Sequence, residues 1–271
     1  MNESFEEVLK QYTKNISKFP TNEEKLKKHF ITLLPKGSPG EQRRIRILPT
    51  KDGSSPFVEL YFHELEVDGK WLKLWDPKNE NKRSPLNELK EKLEKSPTES
   101  ERDLAKNYRS RKYYIVKVID RDHEQDGPKF WRFKNNAKQD GVFDKIVPII
   151  RSKGNIFDPH KGRDLIISLN LTKSNNGREY TSVSSIIQDD PSPLHADEQT
   201  AMAWLNDTVE WDQVFAKKGE DYLDLIVEGK TPMWDKATSK WVEKTSNNTI
   251  VTPDLPEDPQ LEDDSDQDLP F

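Results

Sequence analysis

The chain contains no cysteine. That excludes disulfides, thiolate catalysis and any zinc site built on Cys. No apolar run reaches the length needed to span a bilayer and no secretory signal opens the sequence, so a non-secreted protein without membrane contact is expected. There is no glycine-rich phosphate loop, no HExxH and no GxSxG, and the five histidines (29, 63, 123, 160, 195) lie scattered without ligand spacing. The chain therefore reads as a non-enzyme without cofactor or metal. Carboxylates are abundant, yet nothing singles one out: Asp120, Asp122, Glu124 and Asp126 read as a solvated strand end and turn. Apolar residues are scarce too. They make up 32% of 271 residues against 34% charged, enough for a compact β-rich domain but not for a core spanning the whole chain.

The net charge of −6 hides a split. Residues 1–180 hold 37 Lys+Arg and 28 Asp+Glu, or +9, whereas residues 181–271 hold 6 and 21, or −15. Such asymmetry suggests a basic binding surface joined to an acidic tail, so overall acidity does not exclude a nucleic-acid partner. From Thr245 onward there is no Lys or Arg, but eight acidic residues and four prolines. Residues 245–271 are therefore expected to be a disordered acidic tail.

Residues 1–18 have the stripe of an amphipathic helical arm, with Phe5, Val8, Leu9 and Tyr12, and Pro20 ends it. From residue 43 the period changes to two. RRIRILP, PFVELYFHELEV and WLKLW read as strands, with turns at Lys51-Asp52-Gly53 and Asp68-Gly69. Residues 76–107 interrupt the strands as a helical insertion. Ser84-Pro85 fits an N-cap and first helical position, Leu86, Leu89 and Leu93 form a stripe, and Glu88–Lys92 and Glu91–Lys95 are candidate pairs. RKYYIVKVID and KFWRFK resume the strands, GVFDKIVPII reads as a helix, and GRDLIISLNLT with REYTSVSSII forms a last hairpin. The stretch 191–244 reads as an acidic helical extension on the 19–190 core, with a small hairpin or irregular element at TPMWDKATSKWVEK. The pattern fits a mainly β (α+β) protein with an OB-fold barrel core, and a β-sandwich is the other solution.

Two segments mix cations with aromatics: Tyr108-Arg109-Ser110-Arg111-Lys112-Tyr113-Tyr114 and Lys129-Phe130-Trp131-Arg132-Phe133-Lys134. Binding single strands needs both, since cations track phosphates and aromatic faces stack bases. The opposing possibility is that the aromatics are core and the cations a solvated rim. Alternation puts Lys129, Trp131 and Phe133 on one face and Phe130, Arg132 and Lys134 on the other, and leaves open which set packs inward. Arg43, Arg44 and Arg46 with Lys51 could also meet phosphates, or line an ordinary half-exposed strand. The C-terminus carries Asp263, Asp264, Asp266 and Asp268 followed by Leu269, Pro270 and Phe271. An acidic arm with an apolar tip can dock on a basic-rimmed partner or in the protein's own basic groove.

These blocks, IRILPTKDGSSPF, DGKW, YRSRKYYIVKVID and GPKFWRFK in that order, resemble the single-stranded DNA-binding (helix-destabilising) protein of T-even-like bacteriophages. The resemblance runs from about Glu41 to Lys244. It implies an OB-fold core, cooperative coating of single strands in the host cytoplasm, and tail-mediated contacts with phage replication and recombination proteins, in DNA replication, recombination and repair. It also implies a DNA cleft at Arg46, Lys51, Arg109, Arg111, Lys112, Tyr113, Tyr114, Trp131, Arg132 and Phe133, together with Arg178 and Tyr180. Members of that family often hold a structural zinc through one His and three Cys in the insertion. Here His63 stands at the His, Ser84-Pro85-Leu86-Asn87 stands where Cys-Pro-x-Cys is expected, and no Cys exists, so the insertion is expected to be fixed by its leucine packing. The family's basic N-terminal motif for self-association on DNA is missing too, since residues 1–18 carry three lysines and three glutamates. The rival reading, from another class, is an acidic DNA-mimicking or scaffold protein without DNA binding. A carboxylate-metal nuclease has no supporting motif.

Overall fold

The computed structural model describes residues 28–31, 42–135, 141–173, 179–215 and 217–244. The N-terminal arm, Arg178 and the tail from 245, including Asp263 to Phe271, lie outside these residues. Each segment of period-two alternation forms a strand: β1 Gln42–Ile47, β2 Val58–Val67, β3 Lys70–Trp75, β4 Ser110–Asp120, β5 Lys129–Phe133, β6 Arg163–Lys173 and β7 Glu179–Pro191. The β2–β3 turn is tight because Asp68 and Gly69 both take positive φ, 52° and 75°.

All seven strands join one antiparallel sheet. The path runs β3-β2-β4-β1-β6-β7, with β5 added on β4. β4 is the organising strand: it pairs with β2 through residues 110–115, with β5 through 114–118 and with β1 through 118–120. No ladder joins β3 to β7 among the described residues, so the expected closed barrel is replaced by an open path.

The insertion holds α1 Pro85–Glu94 and α2 Glu99–Ala105. Its Leu86 is fully buried with Leu65, Leu72 and Leu74 of the β2–β3 hairpin. The intrahelical ion pair observed in α1 is Lys90–Glu94 (2.8 Å) rather than the two pairs expected. α3 Val142–Lys153 tolerates Pro148 and packs Val142, Ile146 and Ile149 on one face of the sheet, against Ile45, Ile47, Val116, Val118, Trp131 and Phe133. The other face buries Leu60, Phe62, Trp75, Tyr113, Ile115 and Phe130, covered by Val209, Trp211, Val214 and Phe215. α4 Glu198–Leu205 adds Trp204 against Leu48 and Ile119, and α5 Glu220–Val227 adds Tyr222, Leu223 and Ile226 to the insertion core. The hairpin β8 Pro232–Asp235 and β9 Lys240–Glu243 follows. The sheet is thus packed on both faces, and exposed residues lie at the start of β4, at the start of β3 and along much of β7.

Candidate nucleic-acid interface

Of the basic residues of β1, Arg46 is buried, Arg43 is half-buried and Arg44 stays exposed. Arg46 has no exposed surface: Nη1 meets Asp164 Oδ1 at 3.1 Å, and Nη2 donates to the carbonyls of Asp158 (3.0 Å) and Ser192 (2.8 Å). A Cβ at Gly162 would stand 2.6 Å from that Nη2, so glycine makes room for the guanidinium. Arg44 also reaches Asp164 (3.0 Å) and Asp189 (2.6 Å), Arg121 grips both oxygens of Asp164 at 3.0 Å, and Arg43 lies 3.7 Å from Asp122. Three guanidinium groups share one buried carboxylate. Arg46 is therefore a strut of the fold rather than a cleft residue, because a fully buried guanidinium held by a carboxylate and two carbonyls cannot reach a phosphate.

The second basic-aromatic segment is mostly core, and so is Tyr113 of the first. Tyr113, Trp131 and Phe133 are at most 1% exposed. The two faces of β5, one of which sequence alternation would leave wet, are both covered. Arg132 is held in an aromatic cage, its guanidinium 5.4 Å from the Phe62 and Tyr113 rings, 5.6 Å from Phe30 and 5.7 Å from Phe215. These four predicted residues belong to the interior: the three buried rings offer no face to a base, and Arg132 is enclosed among rings.

Several predicted residues remain at the surface. Lys51 and Arg109 are exposed, in the β1–β2 loop and just before β4. On one face of the sheet Lys112 lies directly opposite Tyr61 of β2, and Tyr114 lies opposite Glu59. Both tyrosines are half-buried and each carries a lysine: Lys78 Nζ sits 3.5 Å from the Tyr61 ring centre and Lys112 Nζ sits 5.7 Å from that of Tyr114. Tyr114 is braced by Phe143 edge-on (4.4 Å) and by stacking on Phe133 (5.8 Å). Glu59 ties this face together, accepting from the Tyr61 hydroxyl and pairing with Lys112 at 3.0 Å. The Tyr61 bond, partly offset by desolvation and aided by Lys112, holds the Glu59 carboxyl below its ordinary range, and the same bond raises the Tyr61 hydroxyl.

Arg111 points to the opposite face. There Glu64 is surrounded by Arg111 (2.9 Å), Lys134 (2.9 Å), Lys73 (3.9 Å) and the Tyr113 hydroxyl. Burial pushes the Glu64 carboxyl up, but Lys134, Tyr113 and Lys73 outweigh it and leave it below its ordinary value. Three cations thus share the Glu64 carboxylate. Tyr180 is well exposed on β7, apart from both clusters. Tyr61, Lys73, Lys78 and Lys134 were not among the predicted residues. The alternation of β2 carried a signal for Tyr61, but the pairing of β2 with β4, 50 residues apart, did not.

The zinc implied by resemblance does not suit the residues present. His63, Asp76, Ser84 and Asn87 do converge, but Asn87 Nδ2 points inward as a donor, at 2.9 Å to both Asp76 Oδ2 and Ser84 Oγ. A thiolate-free set with an amide N–H aimed at its centre is not a tetrahedral zinc site. Among the described residues no group of three or more His, Asp or Glu could hold a metal.

No curated protein matches the chain. A family model described as gp32 DNA binding protein like matches residues 40–225, which contain the whole seven-stranded sheet, the insertion and the β4 cations. That span is more than half of the sequence, and together with the basic-aromatic face of β2 and β4 it means that the chain belongs to the gp32-like DNA-binding protein family.

Proposed function

We propose that the chain binds single-stranded DNA without sequence preference and coats it during DNA replication, recombination and repair. The observation that carries this reading is the pair of half-buried tyrosines, Tyr61 and Tyr114, on neighbouring strands of one face, each accompanied by a lysine at 3.5 and 5.7 Å. Bases stack on the rings, and phosphates run past Lys51, Lys78, Arg109 and Lys112, with Arg111, Lys73 and Lys134 extending the positive field around the strand edge. Tyr180, exposed near the start of β7, adds a further ring, and Arg178 a further cation. Arg46, Tyr113, Trp131, Arg132 and Phe133 act as scaffold. The sheet is an opened version of the OB-fold in this reading, and the protein binds rather than catalyses.

The tail residues Asp263, Asp264, Asp266, Asp268, Leu269, Pro270 and Phe271 recruit replication and recombination proteins in the host cytoplasm, and self-association on DNA has to use a surface other than the missing N-terminal motif. Titration of fluorescent oligo-dT at several salt concentrations tests the core of this reading. About six neutralised phosphates give a slope of log K against log salt near −4. A slope near zero, or equal affinity for duplex, would refute it.

A further inference from the structure

One buried cluster lies outside the stacking face. His63, on β2, and Asp76, just after β3, are fully buried, and Ser84 is 7% exposed. His63 Nε2 stands 3.3 Å from Asp76 Oδ2 and 3.5 Å from Ser84 Oγ, while Nδ1 meets the Tyr108 carbonyl at 2.9 Å. Ser110 Oγ donates to the same Asp76 oxygen at 2.6 Å, and the Lys78 backbone N–H donates to the other at 3.1 Å. Asn87 Nδ2 closes the ring between Asp76 and Ser84. Ser84 opens α1 without capping it through its side chain, because the hydroxyl belongs to this network instead.

Buried polar groups are tolerated only when satisfied, and a fully satisfied network fixes one arrangement of the elements that supply it. This one draws on the β2–β3 hairpin, on α1 and on the two residues that flank Arg109. We propose that His63, Asp76, Ser84 and Asn87 form a metal-free clamp that sets the start of β4, and that Asp76 and His63 are positioning residues for the DNA-binding cations. Hydrogen bonds here take the place of the zinc coordination that the resemblance implied for this position. The contacts from His63 to Tyr108 and from Asp76 to Ser110 fix the backbone on either side of Arg109, and Arg111 and Lys112 follow directly. The inference rests on the proposed single-strand binding only for its effect on affinity. Its structural half stands alone.

Conversion of the clamp back to a metal site tests both halves in the full-length chain. The triple variant Asp76→Cys, Ser84→Cys, Asn87→Cys retains His63 and places three thiols around its Nε2. It is expected to take up one Co²⁺ per chain with the visible absorption of a tetrahedral thiolate complex, and Zn²⁺ should displace it. The parent is expected to carry no stoichiometric zinc and to bind oligo-dT identically with and without chelator. In the triple variant, stripping the metal should weaken oligo-dT binding about tenfold and zinc should restore it, the scale on which supporting contacts act on a site. Asp76→Ala alone should weaken oligo-dT binding while the circular dichroism of the sheet is retained. Stoichiometric zinc in the parent, or a triple variant without the tetrahedral cobalt spectrum, would overturn the clamp. Zinc-independent DNA affinity in a metal-binding triple variant would overturn the positioning role. Failure of the parent to bind oligo-dT at all would instead sink the proposed function and leave the cobalt result standing.

Discussion

β1 and the first half of β4 look alike as sequence. Arg43-Arg44-Ile45-Arg46 and Arg109-Ser110-Arg111-Lys112 each place three cations within four residues, in a strand or at its start. The fold separates them by the carboxylates it delivers. β1 pairs with β6, which brings Asp164, and Asp189 of β7 and Asp122 after β4 complete the neutralisation. At the start of β4 the supply is poorer: Glu59 meets Lys112, while one Glu64 is shared among Arg111, Lys73 and Lys134. In the proposed reading a basic strand becomes a binding surface according to the carboxylates its neighbours supply, and that is decided by strand pairing rather than by local composition.

The largest expected effect breaks the β1 half of this comparison. Asp164→Ala leaves Arg46 charged and enclosed, which should destabilise the protein by about 3–5 kcal/mol. Urea unfolding gives the number. A loss under about 1 kcal/mol would mean that β1 does not depend on this pairing, and the distinction from β4 would fall. Oligo-dT affinity of the folded variant should stay at the parent's value.

Next in size come the tyrosines beside β4. Tyr61→Leu and Tyr114→Leu keep an apolar side chain against Phe133 and Phe143 but remove the ring, and each should lose about 1–3 kcal/mol of oligo-dT binding with little change in stability. Tyr113→Leu should do the reverse, since that ring is enclosed and its hydroxyl serves Glu64. Loss of affinity in the Tyr113 variant at unchanged stability would show that the proposed face is the wrong one.

Much of the fold was legible because it is local. Alternation marked the strands, Asp68-Gly69 fixed one hairpin register, and the polar stretch at 76–107 announced its helices. What was not legible is what depends on residues far apart. Nothing in KFWRFK says that both faces of β5 are covered, because one cover comes from α3 and the other from Val209 to Phe215. Hence Trp131, Phe133 and Arg132, plausible as DNA contacts by residue type, belong to the interior. Arg46 could not be distinguished from Lys112 until Asp164, 118 residues away, was placed beside it. The clamp was half visible: His63, Ser84 and Asn87 were in view, but Asp76 and Ser110 enter through the pairing of β2 with β3 and β4.

Smaller effects sharpen the β4 half. Arg109→Ala should flatten the salt dependence by about 0.7, the share of one phosphate, and Arg44→Ala should leave it unchanged.

The smallest and most discriminating change is Glu64→Gln. Its carboxyl lies below the ordinary 4.5 in the folded protein. A depressed carboxyl contributes stability that is present above the unfolded value and is lost as pH falls through the folded one. The variant should therefore be less stable than the parent at neutral pH, with the gap closing as pH falls below the ordinary carboxylate range and the parent's Glu64 takes up its proton. DNA binding should move the other way. The uncharged amide frees part of the field of Lys73, Arg111 and Lys134, so oligo-dT binds a few-fold tighter at low salt and the salt slope steepens by about 0.7. Urea midpoints at two pH values and a salt series on one oligonucleotide measure both. If Glu64→Gln lowers stability and leaves the slope untouched, this cluster is as internal as the one around Asp164, and the binding surface contracts to the Tyr61–Tyr114 face alone.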